Sequence, residues 1–241
     1  MRILTQNTSL LARVRTLAGQ AAGRFLAQNC LLCGQTSEGE ILCQACANDL
    51  PRLPASICPR CALPTTAGEP CGRCLAHPPH YDRTLAAFSY EFPLDKLIQA
   101  FKYAHHLALA AYLGREIASL ASDVVADLVV PLPLHPVRLR ERGFNQALEL
   151  ARPVAVTLGL PLDSRTCERI RHTPAQAGLS WKNREKNIRH AFQCARELSG
   201  QRILLVDDVM TTGASLNELA RTLKQHGASE ITLLVVARTL R

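Results

Sequence analysis

Eight of the ten cysteines fall within residues 30–74, as four Cys-x-x-Cys pairs: Cys30/Cys33, Cys43/Cys46, Cys58/Cys61 and Cys71/Cys74. Nine residues separate Cys33 from Cys43 and nine separate Cys61 from Cys71, so the unit repeats with a period of 28. Each such turn presents two thiolates to one cation, and two turns complete a tetrahedral four-thiolate site. Pro51, Pro54, Pro59, Pro64 and Pro70 break helices, which predicts loops and short hairpins with little apolar core. Metal must then supply the folding free energy. The default is two structural Zn2+ ions, one on Cys30, Cys33, Cys43 and Cys46 and one on Cys58, Cys61, Cys71 and Cys74; pairing across the halves fits the same spacing. A disulfide framework is the alternative, but it belongs to secreted chains. Residues 1–25 do not read as a secretory signal, because Arg13 and Arg15 interrupt any apolar stretch. A redox dithiol explains one pair, not four. Cys167 and Cys194 stand apart and read as ordinary buried thiols.

The second constraint is the run Ile203-Leu204-Leu205-Val206-Asp207-Asp208-Val209-Met210-Thr211-Thr212-Gly213-Ala214-Ser215. Four apolar residues fit a strand covered on both faces, with the acids where the chain leaves the sheet. Adjacent carboxylates repel, so they need sugar hydroxyls or a hydrated cation as partner. Thr211 to Ser215 form a small, hydroxyl-rich turn in which Gly213 permits a positive φ. A helix starting near Ser215 adds the positive end of its dipole, which suits a phosphate. Leu216, Leu219, Ala220 and Leu223 recur at helical spacing, Gly227 is a helix stop, and Ile231 to Val236 is another buried strand. The pair as a plain helix cap is the bland alternative. A receiver domain is excluded because too little chain follows for its remaining α/β units, and a P-loop because no Gly-Lys-Ser/Thr follows the strand.

The rest reads as an α/β domain over 81–241, after a linker at His77-Pro78-Pro79-His80. Leu85 to Tyr90 and Asp127 to Val130 are strands, and Phe92 to Phe101, Leu107 to Ala121 and Gln146 to Leu158 are helices. Pro133 and Pro136 predict an extended loop that carries Arg138, Arg140 and Arg142. Eight Lys/Arg lie between Arg165 and Arg196, around Trp181, as a lid or a nucleic acid contact. Leu10, Val14, Leu17, Ala21 and Phe25 share a helical stripe, so residues 1–27 are a leader helix or disordered. The net charge of +8 falls to about +4 if eight thiolates bind two Zn2+ ions. That surplus suits an anionic ligand and permits nucleic acid binding. No apolar run approaches the roughly 20 residues of a membrane span.

The run Val206 to Ser215 closely resembles the phosphoribosyl pyrophosphate (PRPP) motif of type I phosphoribosyltransferases. The resemblance implies that Asp207 and Asp208 take the ribose hydroxyls, that Val209, Met210, Thr211, Thr212, Gly213, Ala214 and Ser215 hold the 5′-phosphate, and that Mg2+ accompanies PRPP. Lys102, Tyr103 and Arg142 then serve the pyrophosphate, and Lys102, Asp207 and Asp208 are the catalytic candidates. With the cysteine module, Phe101-Lys102-Tyr103, the stretch from Val129 to Ala147 and the stretch from Arg171 to Asn187, the chain resembles the ComF family over residues 28–241. That implies a double zinc ribbon over 28–76 and a type I phosphoribosyltransferase-like parallel sheet flanked by helices over 81–241. It also implies a cytoplasmic protein acting in DNA uptake, beside DNA-import helicase machinery. Two departures stand out: Ala104, His105 and His106 replace a glycine common after the Lys-Tyr, and Thr211 stands where purine enzymes place an acid. Two functional readings stay open. One is a phosphoribosyltransferase, including nucleotide salvage; the other is a non-catalytic PRPP sensor or adaptor for single-stranded DNA or protein.

Overall fold

The computed structural model describes residues 28–37, 39–104, 106–172 and 188–240. The leader stripe, His105, Trp181, Lys182, Arg184 and Lys186 lie outside the described residues. The chain forms two compact units that divide between Leu50 and Pro51.

In the first unit, β1 (Gln28–Asn29) pairs antiparallel with β2 (Thr36–Ser37), and α1 (Gln44–Asn48) follows. The second unit opens with the other cysteine half, whose α2 (Gly72–Ala76) is the counterpart of α1. Cys43 and Cys71 are the extended residues that precede these two helices. The expectation of loops and hairpins alone is corrected by these helices. The prolines block longer ones, but both five-residue turns fall clear of them.

The second unit continues with β3 (Arg83–Ser89), α3 (Leu94–Tyr103), α4 (Ala108–Leu120), β4 (Leu128–Pro131), α5 (Pro136–Arg142) and α6 (Gln146–Leu158). Then come β5 (Cys167–Arg169), β6 (Phe192–Cys194), β7 (Arg202–Met210), α7 (Ala214–Gln225) and β8 (Glu230–Arg238). The main sheet runs β3-β8-β7-β4 with every neighbour parallel. This is the α/β fold expected from strands that alternate with helices.

Both faces of the sheet are covered. Ile203 and Leu205 of β7 and Leu233 and Val235 of β8 share one core with Leu216, Leu219 and Leu223 of α7. Cys58, Cys61 and Cys74 belong to that same core, so the second cysteine half is built onto the sheet. Leu204, Val206, Leu234 and Val236 alternate with these to the other face and are equally buried. There α4 and α6 cross so closely that a Cβ on Gly114 would stand 2.3 Å from Pro153 Cγ.

Three further expectations change. Pro136 opens α5 rather than extending a loop: its missing N–H costs nothing at the first helical position, and His135 Nδ1 caps the helix by accepting from Val137 N. β7 does not stop at Val206 but runs on through both acids to Met210. Cys167 and Cys194 are cross-strand neighbours in β5 and β6 and form a disulfide, so they are not free thiols. They stand 27 positions apart in the chain, and only the strand register brings them together.

Candidate functional site

Two sets of residues carry chemistry. The first is the cysteines. Sulfur atoms of Cys30, Cys33, Cys43 and Cys46 all lie within 4.8 Å of one another, as do those of Cys58, Cys61, Cys71 and Cys74. A zinc tetrahedron with Zn–S of about 2.3 Å has edges of about 3.8 Å. Cys33–Cys43 and Cys61–Cys71 are each 3.7 Å apart, so both tetrads fit a zinc ion. Pairing is within each half, which excludes the crossed arrangement. The first cysteine of each half is biased towards the thiolate. Burial opposes the charge, but backbone N–H groups of Cys33, Cys43 and Leu32 outweigh it and lower Cys30 to about 6. Those of Cys61, Cys71 and Arg60 likewise overcome burial and lower Cys58 to about 7.

The second set lies at the C-terminal edge of the sheet, where open α/β folds bind ligands. Asp208 is buried and Asp207 half-buried near the end of β7. Burial and the neighbouring Asp208 charge push the Asp207 carboxyl up to about 7, against the pull of Lys102, the Asp208 N–H and Arg169. Lys102, in the last turn of α3, brings its Nζ to 2.9 Å from Asp208 Oδ2. Burial works against the Lys102 charge, but Asp208, and behind it Asp207, more than compensate and raise its pKa. Lys102 pairs directly with Asp208 and Arg169 acts on Asp207 from further off, yet the Asp207 carboxyl is still pushed up, a pattern that suits a site for a cation or for hydroxyl donors.

Beyond the acids the chain turns at Gly213, with φ of 77°, into α7. A Cβ at Gly213 would lie 2.6 Å from Met210 Cε, the movable end of that side chain, so the positive φ is what favours glycine at this turn. Thr212 Oγ1 accepts from Ala214 N at 3.3 Å, and α7 points its N-terminal end at the turn. Thr211 is exposed, while Thr212, Ala214 and Ser215 are partly so. Val209 is half-buried and Met210 buried within β7.

Arg142, at the end of α5, stands 5.8 Å from the ring centre of the exposed Tyr103 and donates to Gln146 Oε1 at 3.0 Å. Its charge is felt at Lys102, which places the Arg142 and Lys102 cations together. Asn145 ties this region down, capping α6 through Ala147 N and donating to Leu132 O. The sequence placed Arg169 only within the basic stretch read as a lid or a nucleic acid contact. It is one of eight basic residues in its stretch, and the register of β5 places it within electrostatic reach of Asp207. His135 and His172, with ring centres 5.0 Å apart, were likewise not foreseen together.

Among the described residues, no helix is long and apolar enough to cross a membrane. A double zinc ribbon domain matches residues 22–75, and a phosphoribosyl transferase domain matches residues 145–240. The DNA utilization protein YhgH of Salmonella typhimurium is 35% identical over 207 residues, covering 83% of this chain and 91% of its own. Competence protein F of Haemophilus influenzae is 32% identical over 208 residues, covering 82% of this chain and 90% of its own. Competence protein ComFC of Bacillus subtilis is 24% identical over 251 residues, covering 92% and 100%.

Proposed function

This chain belongs to the ComF family, and on that premise we propose that it binds PRPP with Mg2+ at the C-terminal edge of its sheet and acts in DNA uptake or utilisation. The observation that carries the ligand reading is the continuous arrangement of the Lys102–Asp208 ion pair, Asp207 and the Gly213 turn into α7. The two carboxylates accept hydrogen bonds from the ribose diol. The first-turn N–H groups of α7, with Thr211, Thr212 and Ser215, receive the 5′-phosphate. Lys102, Tyr103 and Arg142 face the pyrophosphate. Asp207 and Asp208 would help hold a Mg2+ ion, which would supply neutralisation of the ligand's charge when bound. The biological setting rests on the names of the relatives, a DNA utilization protein and competence proteins. In that setting the helicase of a DNA-import apparatus and single-stranded DNA are the partners, and the cytoplasm is the compartment.

Calorimetry of PRPP with Mg2+ tests the pocket. Asp207→Ala with Asp208→Ala should abolish the binding heat, and an unchanged affinity would sink the assignment. Whether a transfer reaction follows is a separate question. The stretch from Val209 to Ser215 carries no carboxylate to act as base towards a nucleobase, which favours a PRPP-responsive adaptor over purine salvage. Pyrophosphate release with PRPP, Mg2+ and a panel of nucleobases and amines separates the two: sustained release with any acceptor establishes an enzyme.

A further inference from the structure

Arg238 closes β8, in register with Met210 at the end of β7. It is only 2% exposed, the largest side chain so deeply buried among the described residues. A buried guanidinium is costly unless its donors are satisfied and its charge is balanced. Its Nε and Nη1 donate to backbone carbonyls. Nε reaches Cys61 O at 2.8 Å, and Nη1 reaches Met210 O at 2.9 Å, Thr239 O at 2.7 Å and Thr211 O. Burial outweighs every attraction and lowers its pKa, and Tyr81 beside it is kept protonated by its own burial and so supplies no counter-charge. No carboxylate is among these partners.

One guanidinium therefore holds both a cysteine turn and the two carbonyls at which β7 becomes the turn to α7. The turn's peptide planes, and so the direction of its N–H groups, follow from where Met210 O and Thr211 O are held. A cavity of about 100 Å3, lined by Cys61, Cys74, Tyr81, Thr212, Gly213 and Arg238 among others, lies between the two features. The cysteine turn is itself clamped to the sheet: Thr84 N donates to Pro59 O at 3.0 Å and Thr84 Oγ1 to Arg60 O at 2.5 Å. Four thiolates on one Zn2+ leave two net negative charges, a counter-charge for Arg238 that its carbonyl partners do not supply.

We propose that the metal-loaded second tetrad (Cys58, Cys61, Cys71, Cys74) holds the Thr211–Ser215 turn in its anion-binding form through Arg238, so that metal occupancy there and phosphate affinity are linked. The affinity half rests on the PRPP reading of that turn. Linkage is reciprocal, so a ligand on the turn also tightens metal binding at this tetrad. Arg238 is a positioning residue; it touches no ligand.

Hydrogen exchange of the full-length chain reads the link without any ligand. Against the zinc-loaded wild type, amides of 211–215 should exchange at least tenfold faster after Cys71→Ser with Cys74→Ser, which empties the second tetrad, and also after Arg238→Met, while those of α6 stay protected. Arg238→Lys, which keeps the charge but not the fork of donors, should give an intermediate rise. PRPP affinity should fall at least tenfold in the same variants. Unchanged exchange at 211–215, or an equal rise in α6, overturns the proposal, and so does an equal rise at 211–215 after Cys30→Ser with Cys33→Ser. If PRPP fails to bind the zinc-loaded wild type, the ligand reading falls by itself, and the exchange data still decide the link between tetrad and turn.

Discussion

Asp207→Asn should stabilise the protein, and by an amount that grows with pH. Burial and Asp208 raise the Asp207 carboxyl from 3.8 to about 7. A raised carboxylate pKa means that the folded state holds a proton that the unfolded chain has already released. Stability is therefore full below about pH 4 and declines as pH rises towards 7, after which it levels off. At about 1.4 kcal/mol per pKa unit, the loss would reach about 4 kcal/mol if Asp207 titrated alone. The acids share their proton as a pair, so the difference between variant and wild type at pH 8 should be positive and smaller than this. Asparagine keeps the oxygen that accepts from Asp208 N at 2.9 Å, so little else is lost. Lys102 stays charged through this window, because Asp208 raises its pKa further. Urea unfolding of both zinc-loaded proteins from pH 5.5 to 8 measures the effect, and zinc-site and other titrations cancel in the difference at each pH. Two stability curves that run parallel across that range would refute the claim that the acid pair is held under charge strain. The gain in stability should come with loss of PRPP binding, the usual cost of relaxing a functional site.

Gly213→Ala forces a side chain into a φ of 77° and against Met210 Cε, and should cost about 1–2 kcal/mol in urea unfolding while weakening PRPP binding. Gly114→Ala lies far from the acids in sequence but sets a Cβ 2.3 Å from Pro153 Cγ; it should cost about 1–3 kcal/mol with PRPP affinity unchanged, and a neutral result would mean that α4 and α6 are less tightly packed than described. Metal analysis should give two zinc ions per chain, with chelation opening both cysteine halves; zero zinc with oxidised cysteines would refute the tetrads.

What could be read from sequence was what is local in sequence. Metal coordination by Cys-x-x-Cys turns is set by a few consecutive residues, so both tetrads were legible from spacing, down to which cysteines belong together by default. The same holds for Asp207 to Ser215, where strand, acids, glycine turn and helix follow one another without interruption, and for the cap-to-cap limits of α6. What could not be read depends on register and packing between distant segments. Lys102 reaches Asp208 only because α3 docks beside the end of β7. Arg169 approaches Asp207 through β5, a three-residue strand with no periodicity to betray it. The Cys167–Cys194 pair likewise needs the β5–β6 register. Arg238 is the sharpest case. In sequence it is a lone arginine directly after the apolar run Leu233 to Ala237, with no motif around it. Yet the parallel pairing of β8 with β7 sets it opposite Met210, beneath the turn and against the second cysteine half. Charge patterning gives the residue type, and only register gives its address. For that reason the link between metal site and phosphate turn is a property of the fold that neither motif contains by itself.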